Sequence, residues 1–196
     1  MVKIKNKLMI YFLVFSLVPM FAQAHILSGT GFASGALHPL SGLDHLLAML
    51  AVGIISVRLG GKYLLIGPSI FVSSMVAGGI LGMYGLHLSF IEIGIALSVI
   101  LSGIAIIFSG KLPARISISI IAIAAILHGH SHGSEISGIF NPIIYTLGFV
   151  LSTATLHLLG VGIGHYSYRA DISRKFLRLV GAGISAAGLM ILFGII

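Results

Sequence analysis

Six apolar stretches, each about as long as a lipid bilayer is thick, constrain this chain more than any other feature of its sequence. They cover approximately residues 38–57, 64–86, 90–109, 113–131, 141–164 and 176–196. Charged residues make up 8% of the chain, whereas a soluble domain carries about 25%. The sequence therefore predicts an all-α integral membrane protein, a bundle of six transmembrane helices with the lipid bilayer as its solvent.

The N-terminus has the features of a secretory signal peptide. Three lysines precede the apolar residues 8–21, and the small residues Ala22 and Ala24 follow. This apolar stretch is shorter than the roughly 20 residues of a membrane span, and it has the flanks of a cleavable signal. We predict a signal peptide at residues 1–24 and a membrane transport domain at 25–196; an uncleaved first helix is the alternative.

The basic residues predict the orientation of the spans. Of the eleven lysines and arginines, three belong to the signal and all the others follow spans one, three and five. These others are Arg58, Lys62, Lys111, Arg115, Arg169, Arg174, Lys175 and Arg178. Basic loops mark the cytoplasmic side, so we expect both the mature N-terminus and the C-terminus outside. The pI near 10 thus reflects topology, and we expect no nucleic-acid partner.

The segment "LHGHSHGSE" carries ionisable residues at the outer end of span four. His128, His132 and Glu135 follow the spacing i, i+4 and i+7, which places them on one stripe of a helix. His130 falls on the opposite side unless the glycines unwind the helix. Such residues cost about 2.5–3.5 kcal/mol at the centre of a span and are usually functional.

A second group stands in "HPLSGLDHLLAMLAVGI", at the start of span one. His38 and His45 lie at i and i+7 on one predicted helix face, with Asp44 beside them. The alternative for Asp44 is a capping role together with Ser41. We expect both groups to meet at one outward-facing site or at two adjacent sites. Imidazoles with carboxylates are suitable ligands for a divalent transition metal.

His25 is a further candidate ligand. If cleavage follows Ala24, His25 offers both its α-amine and its imidazole to one metal ion. The glycines that follow make this segment flexible enough to fold back over the site. The alternative is a leader that begins with histidine for no functional reason.

The stretch "HPLSGLDHLLAMLAVG" resembles the HupE/UreJ family of nickel permeases, whose first span carries H-x5-D-H before an apolar run. The matching residues are His38, Asp44 and His45. The resemblance covers the whole chain, including the signal and the six spans.

The family's second motif, H-G-x-A-H-G-x-E in the fourth span, is similar to "HGHSHGSE". Its matching residues are His128, Gly129, His132, Gly133 and Glu135. Ser131 replaces the usual alanine, and His130 adds an imidazole, but neither change affects a proposed ligand.

The resemblance implies a permease for nickel, sometimes cobalt, and not an enzyme. It implies the inner membrane of a bacterium, a functional link to hydrogenase or urease maturation, and no prosthetic group. The ligands alone do not separate Ni²⁺ from Co²⁺ or Zn²⁺. The sequence also leaves open how transport is energised.

Two other classes of protein share these residue types. An intramembrane zinc hydrolase would use three ligands and a metal-bound water. A bis-histidine haem protein would need histidines that face each other within the spans. The roles of His87, His130, His157 and His165 stay open, although His157 and His165 share one face of span five.

Overall fold

The computed structural model describes residues 31–86, 88–108, 111–136, 141–169 and 173–196. These residues form seven α-helices and no β-strand. The helices are α1 (Phe32–Ser41), α2 (Leu43–Leu59), α3 (Tyr63–Met83), α4 (Ile91–Ile107), α5 (Ala114–Ile136), α6 (Pro142–Arg169) and α7 (Ser173–Leu192). The predicted signal peptide lies outside the described residues.

The helices are apolar enough for a multi-pass membrane protein. Four of them, α3, α5, α6 and α7, are long and apolar enough to cross a bilayer, and the bent pair α1 and α2 qualifies as a fifth span. The apolar helix α4 has 17 residues, slightly fewer than the about 20 that a span needs. The all-α prediction is confirmed for the described residues, while the count of six crossings stays a prediction.

The first predicted span is not one continuous helix. The chain bends by 85° between α1 and α2 at Gly42, whose backbone is extended. Pro39 inside α1 lacks the N–H that would continue the helix ladder, and the Ser41 hydroxyl donates to the His38 carbonyl at 2.6 Å. The expectation that His38 and His45 share a face of one helix is therefore wrong, because the break separates them.

Glycines bring α3 and α5 into backbone contact. A side chain at Gly78 would meet the carbonyl oxygen of Ile126, and one at Gly82 would meet that of His130. In return, a side chain at Gly129 would meet the carbonyl of Met75. Small residues at i and i+4 allow this approach. The Gly-x-x-x-Gly pair of α3 is thus a packing motif, and the glycines of α5 serve contact rather than unwinding.

The same arrangement recurs between α6 and α2. Gly160 lies against the Leu50 carbonyl, and Gly164 lies against Ile54 one turn further along. On the facing helix, Gly53 packs onto the carbonyl of His157. If the described helices are divided into two halves, α1–α4 and α5–α7, then α3 of the first half crosses α5 of the second, and α6 of the second crosses α2 of the first, each crossing through glycines.

The last helices of the two halves, α4 and α7, pack against each other. A side chain at Gly103 would meet Gly181 and Ser185, and the Ser185 hydroxyl donates to the Ile100 carbonyl at 3.1 Å. Together these contacts repeat the same packing between the two halves, as an internal repeat would. Helix α2 lies at the centre, with Met49, Val52 and Ile55 fully buried.

Candidate metal centre

The break at Gly42 and the end of α5 bring four histidines into one row. The ring centroids of His38 and His132 are 4.7 Å apart, those of His132 and His45 are 4.1 Å apart, and those of His45 and His128 are 4.6 Å apart. Two of these rings come from the bent first span and two from α5. The residues of the two sequence motifs therefore meet, as the shared-site expectation requires.

Six potential ligands sort into two trios whose ligand atoms lie within 4.8 Å of one another. The rim trio is His38, His132 and Glu135, and the deep trio is Asp44, His45 and His128. Each trio combines residues from both motifs. Neither motif alone forms a compact set of ligands, so the grouping differs from the one that the sequence spacing indicates.

The rim trio is open to the surroundings. The Glu135 carboxylate oxygen Oε2 lies 3.6 Å from His38 Nε2 and 3.7 Å from His132 Nδ1. The Glu135 side chain is 58% exposed and that of His38 is 32% exposed. A cation would meet a carboxylate first and two imidazoles behind it.

His132 joins the two trios. Its Nδ1 faces Glu135, whereas its Nε2 contacts Nε2 of His45. The two ring nitrogens of one buried side chain thus face different groups of ligands.

In the deep trio, each histidine ring has a hydrogen-bond partner at its Nδ1. His45 Nδ1 lies 3.0 Å from the Asp44 carboxylate, and His128 Nδ1 donates to the Ala124 carbonyl at 2.8 Å. Hydrogen bonds at Nδ1 leave Nε2 as the nitrogen with a free lone pair. His128 is fully buried, and its Nε2 has no hydrogen-bond partner among the described residues. His128 therefore presents Nε2 to a possible metal ion, whereas His45 has Nδ1 toward Asp44 and Nε2 toward His132.

Aromatic side chains that sequence analysis did not single out form the wall of the site. The Phe149 ring of α6 lies 4.7 Å from that of His132, and the Tyr145 ring lies 5.9 Å from that of His38. From α3, Phe71 lies 6.4 Å from His128. Tyr145 and Phe149 are one turn apart in the span after the second motif. This spacing is common in any helix core, so it carried no signal in the sequence.

Other sequence candidates lie elsewhere or are not described. His130 Nε2 donates to the Leu86 carbonyl at 2.6 Å, on the side of α5 away from the trios, which agrees with the helical prediction. Glu92 is exposed in the first turn of α4 and belongs to neither trio. His25 and His87 lie outside the described residues.

The capping alternative for Asp44 is wrong. The N-cap of α2 is Gly42, and no side chain makes a cap hydrogen bond there. The Ser41 hydroxyl instead bonds the His38 carbonyl. The Asp44 carboxylate faces His45, so its contacts are those of the cluster.

The chemistry that the trios support is coordination of a divalent ion by nitrogen and oxygen. Each trio offers two imidazoles and one carboxylate, a set suited to Ni²⁺, Co²⁺ or Zn²⁺. Neighbouring rings 4.1–4.7 Å apart leave no space for a porphyrin plane between them, which argues against the haem alternative at this site. The ligands are already converging, which lowers the cost of ordering them around an ion.

Comparisons with known proteins agree with the resemblance noted in the sequence. The family model described as "HupE / UreJ protein" matches residues 13–191. The chain is 39% identical over 178 residues to Protein HupE of Rhizobium leguminosarum bv. viciae, covering 90% of this chain and 93% of that protein. No solved structure matches the chain.

Proposed function

We propose, from the premise that the chain belongs to the HupE/UreJ family, that it is a permease for a divalent transition-metal ion. The family is associated with nickel and cobalt transport and is not a family of enzymes. We propose Ni²⁺ as the first substrate and Co²⁺ as the second, with uptake into the cytoplasm. The observation that carries this proposal is the row of four imidazoles flanked by two carboxylates, drawn from both motifs.

The gradient of burial supports a direction of movement. Glu135 and His38 are accessible, His132 and His45 are mostly buried, and His128 is completely buried. A hydrated cation binds first at the rim trio, where it exchanges some water for ligands. It then passes through His132 to the deep trio, where Asp44 balances its charge. Binding requires neutral imidazoles and ionised carboxylates.

The basic loops support an outward orientation for the rim trio. Arg58 lies in the last turn of α2 and Lys62 follows that helix, while Lys111 precedes α5 and Arg115 lies in its first turn. These charges are therefore at the helix ends opposite the trios. Basic loops stay on the cytoplasmic side. We therefore propose that the rim trio faces outward in the inner membrane of a bacterium, with both termini outside.

The membrane potential is sufficient to drive uptake in this orientation. It supplies about 2.3 kcal/mol per charge per 100 mV, or about 4.6 kcal/mol for a divalent ion. That free energy supports roughly a thousandfold accumulation. The sequence contains no GxxxxGK[ST] motif for nucleotide binding, so we propose transport without ATP hydrolysis by this chain. The link to hydrogenase or urease maturation follows from supplying their metal.

His25 completes the proposed set of ligands if the signal is cleaved after Ala24. Its amine and imidazole would then add to the rim trio. N-terminal sequencing of the membrane-bound protein should begin at "HILSGTG". A terminus at Met1 would remove His25 from the proposed site.

The test is uptake of labelled nickel, cobalt and zinc into cells with and without the protein. We expect nickel accumulation in cells with the wild-type chain and its loss in His132→Ala. His165→Ala is the matched control, because His165 is exposed on α6 and should leave uptake unchanged. Equal uptake in cells with and without the protein would refute the proposed function.

A further inference from the structure

Two buried polar side chains of α6 lie deeper than both trios and are not explained by them. His157 is 1% exposed and Thr153 is 0% exposed. Both ring nitrogens of His157 and the Thr153 hydroxyl lack a hydrogen-bond partner among the described residues. An unsatisfied buried polar group costs about 1–3 kcal/mol. Three such atoms together indicate a ligand that is present at some stage of function.

His157 and Thr153 belong to one face of α6. They are separated by one helical turn, so their side chains project from the same side. His157 lies about four turns beyond the start of α6, well past the level of Tyr145. The neighbouring candidate, His165, is exposed, so the histidine pair expected from the sequence has only one interior member.

The ring of Phe71 lies between this pair and the deep trio and contacts residues of both. Its ring makes an edge contact with His157, with centroids 5.0 Å apart and planes at 81°. The same ring lies 6.4 Å from His128. Phe71 is itself fully buried, so its ring lies between the His128 and His157 rings inside the bundle and is near both. The His128 ring also carries an Nε2 with no hydrogen-bond partner among the described residues.

The backbone around His157 is fixed by close helix packing. Gly53 of α2 packs directly onto the His157 carbonyl, and Gly160 packs onto the Leu50 carbonyl. A side chain at either glycine would push α2 and α6 apart. His157 is thus held at a defined distance from α2, the helix that carries Asp44 and His45.

We propose that His157 and Thr153 form a further metal site beyond Phe71, where the divalent ion pauses after it leaves His128. This inference rests on the proposed transport function. One imidazole and one hydroxyl provide fewer ligands than either trio, so the ion keeps water ligands and is held more weakly. Permeation requires later sites that bind weakly enough to release the ion. His157 and Thr153 therefore serve the passage of the ion through the bundle and not its capture from outside.

The test separates capture from passage with purified protein and Ni²⁺. In proteoliposomes with a negative interior potential, we expect His157→Ala to reduce the initial rate of nickel uptake by about tenfold or more, equivalent to about 1.4 kcal/mol. Equilibrium binding of Ni²⁺ in detergent should stay within about twofold of wild type, because the trios are intact. Thr153→Val, which keeps the side-chain size, should reduce uptake by a smaller factor.

Two matched controls come from the same helix. His165→Ala removes an exposed histidine, and Thr155→Val removes an exposed hydroxyl that bonds the Leu151 carbonyl at 2.8 Å. Both should transport as wild type does. His157→Gln provides a second, smaller change in case the alanine variant does not insert.

The outcomes discriminate this inference from the proposed function. Normal uptake by inserted His157→Gln and Thr153→Val would overturn the proposed site at His157 and Thr153. Parallel loss of binding and uptake would overturn it too, because His157 would then belong to the capture site or to the fold. If wild-type proteoliposomes take up no nickel, the proposed function itself has failed.

Discussion

The imidazoles of the deep trio are each held through one ring nitrogen. Asp44 contacts His45 Nδ1, and the Ala124 carbonyl accepts from His128 Nδ1. Such contacts fix the ring orientation and the tautomer, and losing one typically costs about 10–100-fold in metal affinity. At the scale of single residues, Asp44 therefore has two roles, as a potential ligand and as the group that orients His45.

Replacing Asp44 with asparagine tests these roles. The substitution keeps the size of the side chain but removes its charge. We expect Asp44→Asn to lower nickel uptake by about 10-fold or more, with normal insertion into the membrane, measured by uptake of labelled nickel and by the amount of protein in the membrane fraction. A variant that inserts and transports normally would exclude Asp44 from the site.

The contact between His45 and His132 predicts coupled effects. The two Nε2 atoms meet, so an ion at this point involves both rings. If His45→Ala abolishes high-affinity Ni²⁺ binding, adding His132→Ala should cost little more, because coupled residues give non-additive losses. Equilibrium dialysis of the two single variants and the double variant measures this. Additive losses with two separable affinities would instead indicate independent sites.

At the scale of helices, the break between α1 and α2 positions the candidate ligands of the first motif. The bend turns α1 across α6, where Gly35 packs against the Tyr145 carbonyl and Gly148 packs against that of Phe32. This packing brings His38 to Glu135, which a continuous helix would not allow. The break is thus part of the site, and the close crossings of α3 with α5 hold the other side of it.

Gly42→Ala tests whether the break shapes the site. Its extended backbone suits any residue, but an added Cβ would lie 2.7 Å from Asp44 Oδ1 and 3.1 Å from His45 Nδ1. We expect about a tenfold loss of nickel affinity through displacement of these two groups, with the helices intact by circular dichroism. Gly162→Ala is the control, because nothing lies within 4 Å of its added Cβ. Equal affinities for the two variants would show that the site tolerates this displacement.

At the scale of the whole molecule, the two halves repeat their packing but not their chemistry. The carbonyls of Leu50 and Ile126 make the corresponding glycine contacts in the two halves, with Gly160 and Gly78. Ser56 lies six residues after Leu50, and His132 lies six residues after Ile126, so the two residues correspond. Ser56 faces Gly67 of α3, as His132 faces Phe149 of α6. The repeat therefore places a hydroxyl where the other half has an imidazole. This asymmetry suits a path that captures the ion at one end and releases it at the other.

Cysteine labelling tests the topology, since the chain has no native cysteine. Ser89 and Lys111 are exposed at opposite ends of the short helix α4. We expect a membrane-impermeant thiol reagent to label Ser89→Cys on intact spheroplasts and Lys111→Cys only after lysis. Labelling of both before lysis would mean that α4 does not cross, and five or fewer crossings would remain.

Much of this architecture follows from sequence because the bilayer imposes simple constraints. Apart from the first span, which is broken into α1 and α2, apolar length predicted helices within about five residues of the observed bounds. The i, i+4, i+7 spacing predicted the stripe of His128, His132 and Glu135 on α5. A helix in lipid must satisfy its own backbone hydrogen bonds, so local pattern and final structure agree there. The six candidate ligands were identifiable from the sequence as rare polar groups in apolar segments.

The tertiary structure alone decided how those residues combine. The bend at Gly42 depends on how the helices pack, and so do the contacts of Phe71 with His128 and His157. The same is true of the two trios, each of which combines residues from both motifs. The distances between helices are set where glycines such as Gly129 and Gly53 meet the backbone of another helix. A periodic pattern records which face of a helix a residue occupies, but not which helix packs against that face. Interhelical contact therefore determined the two trios and the deeper pair.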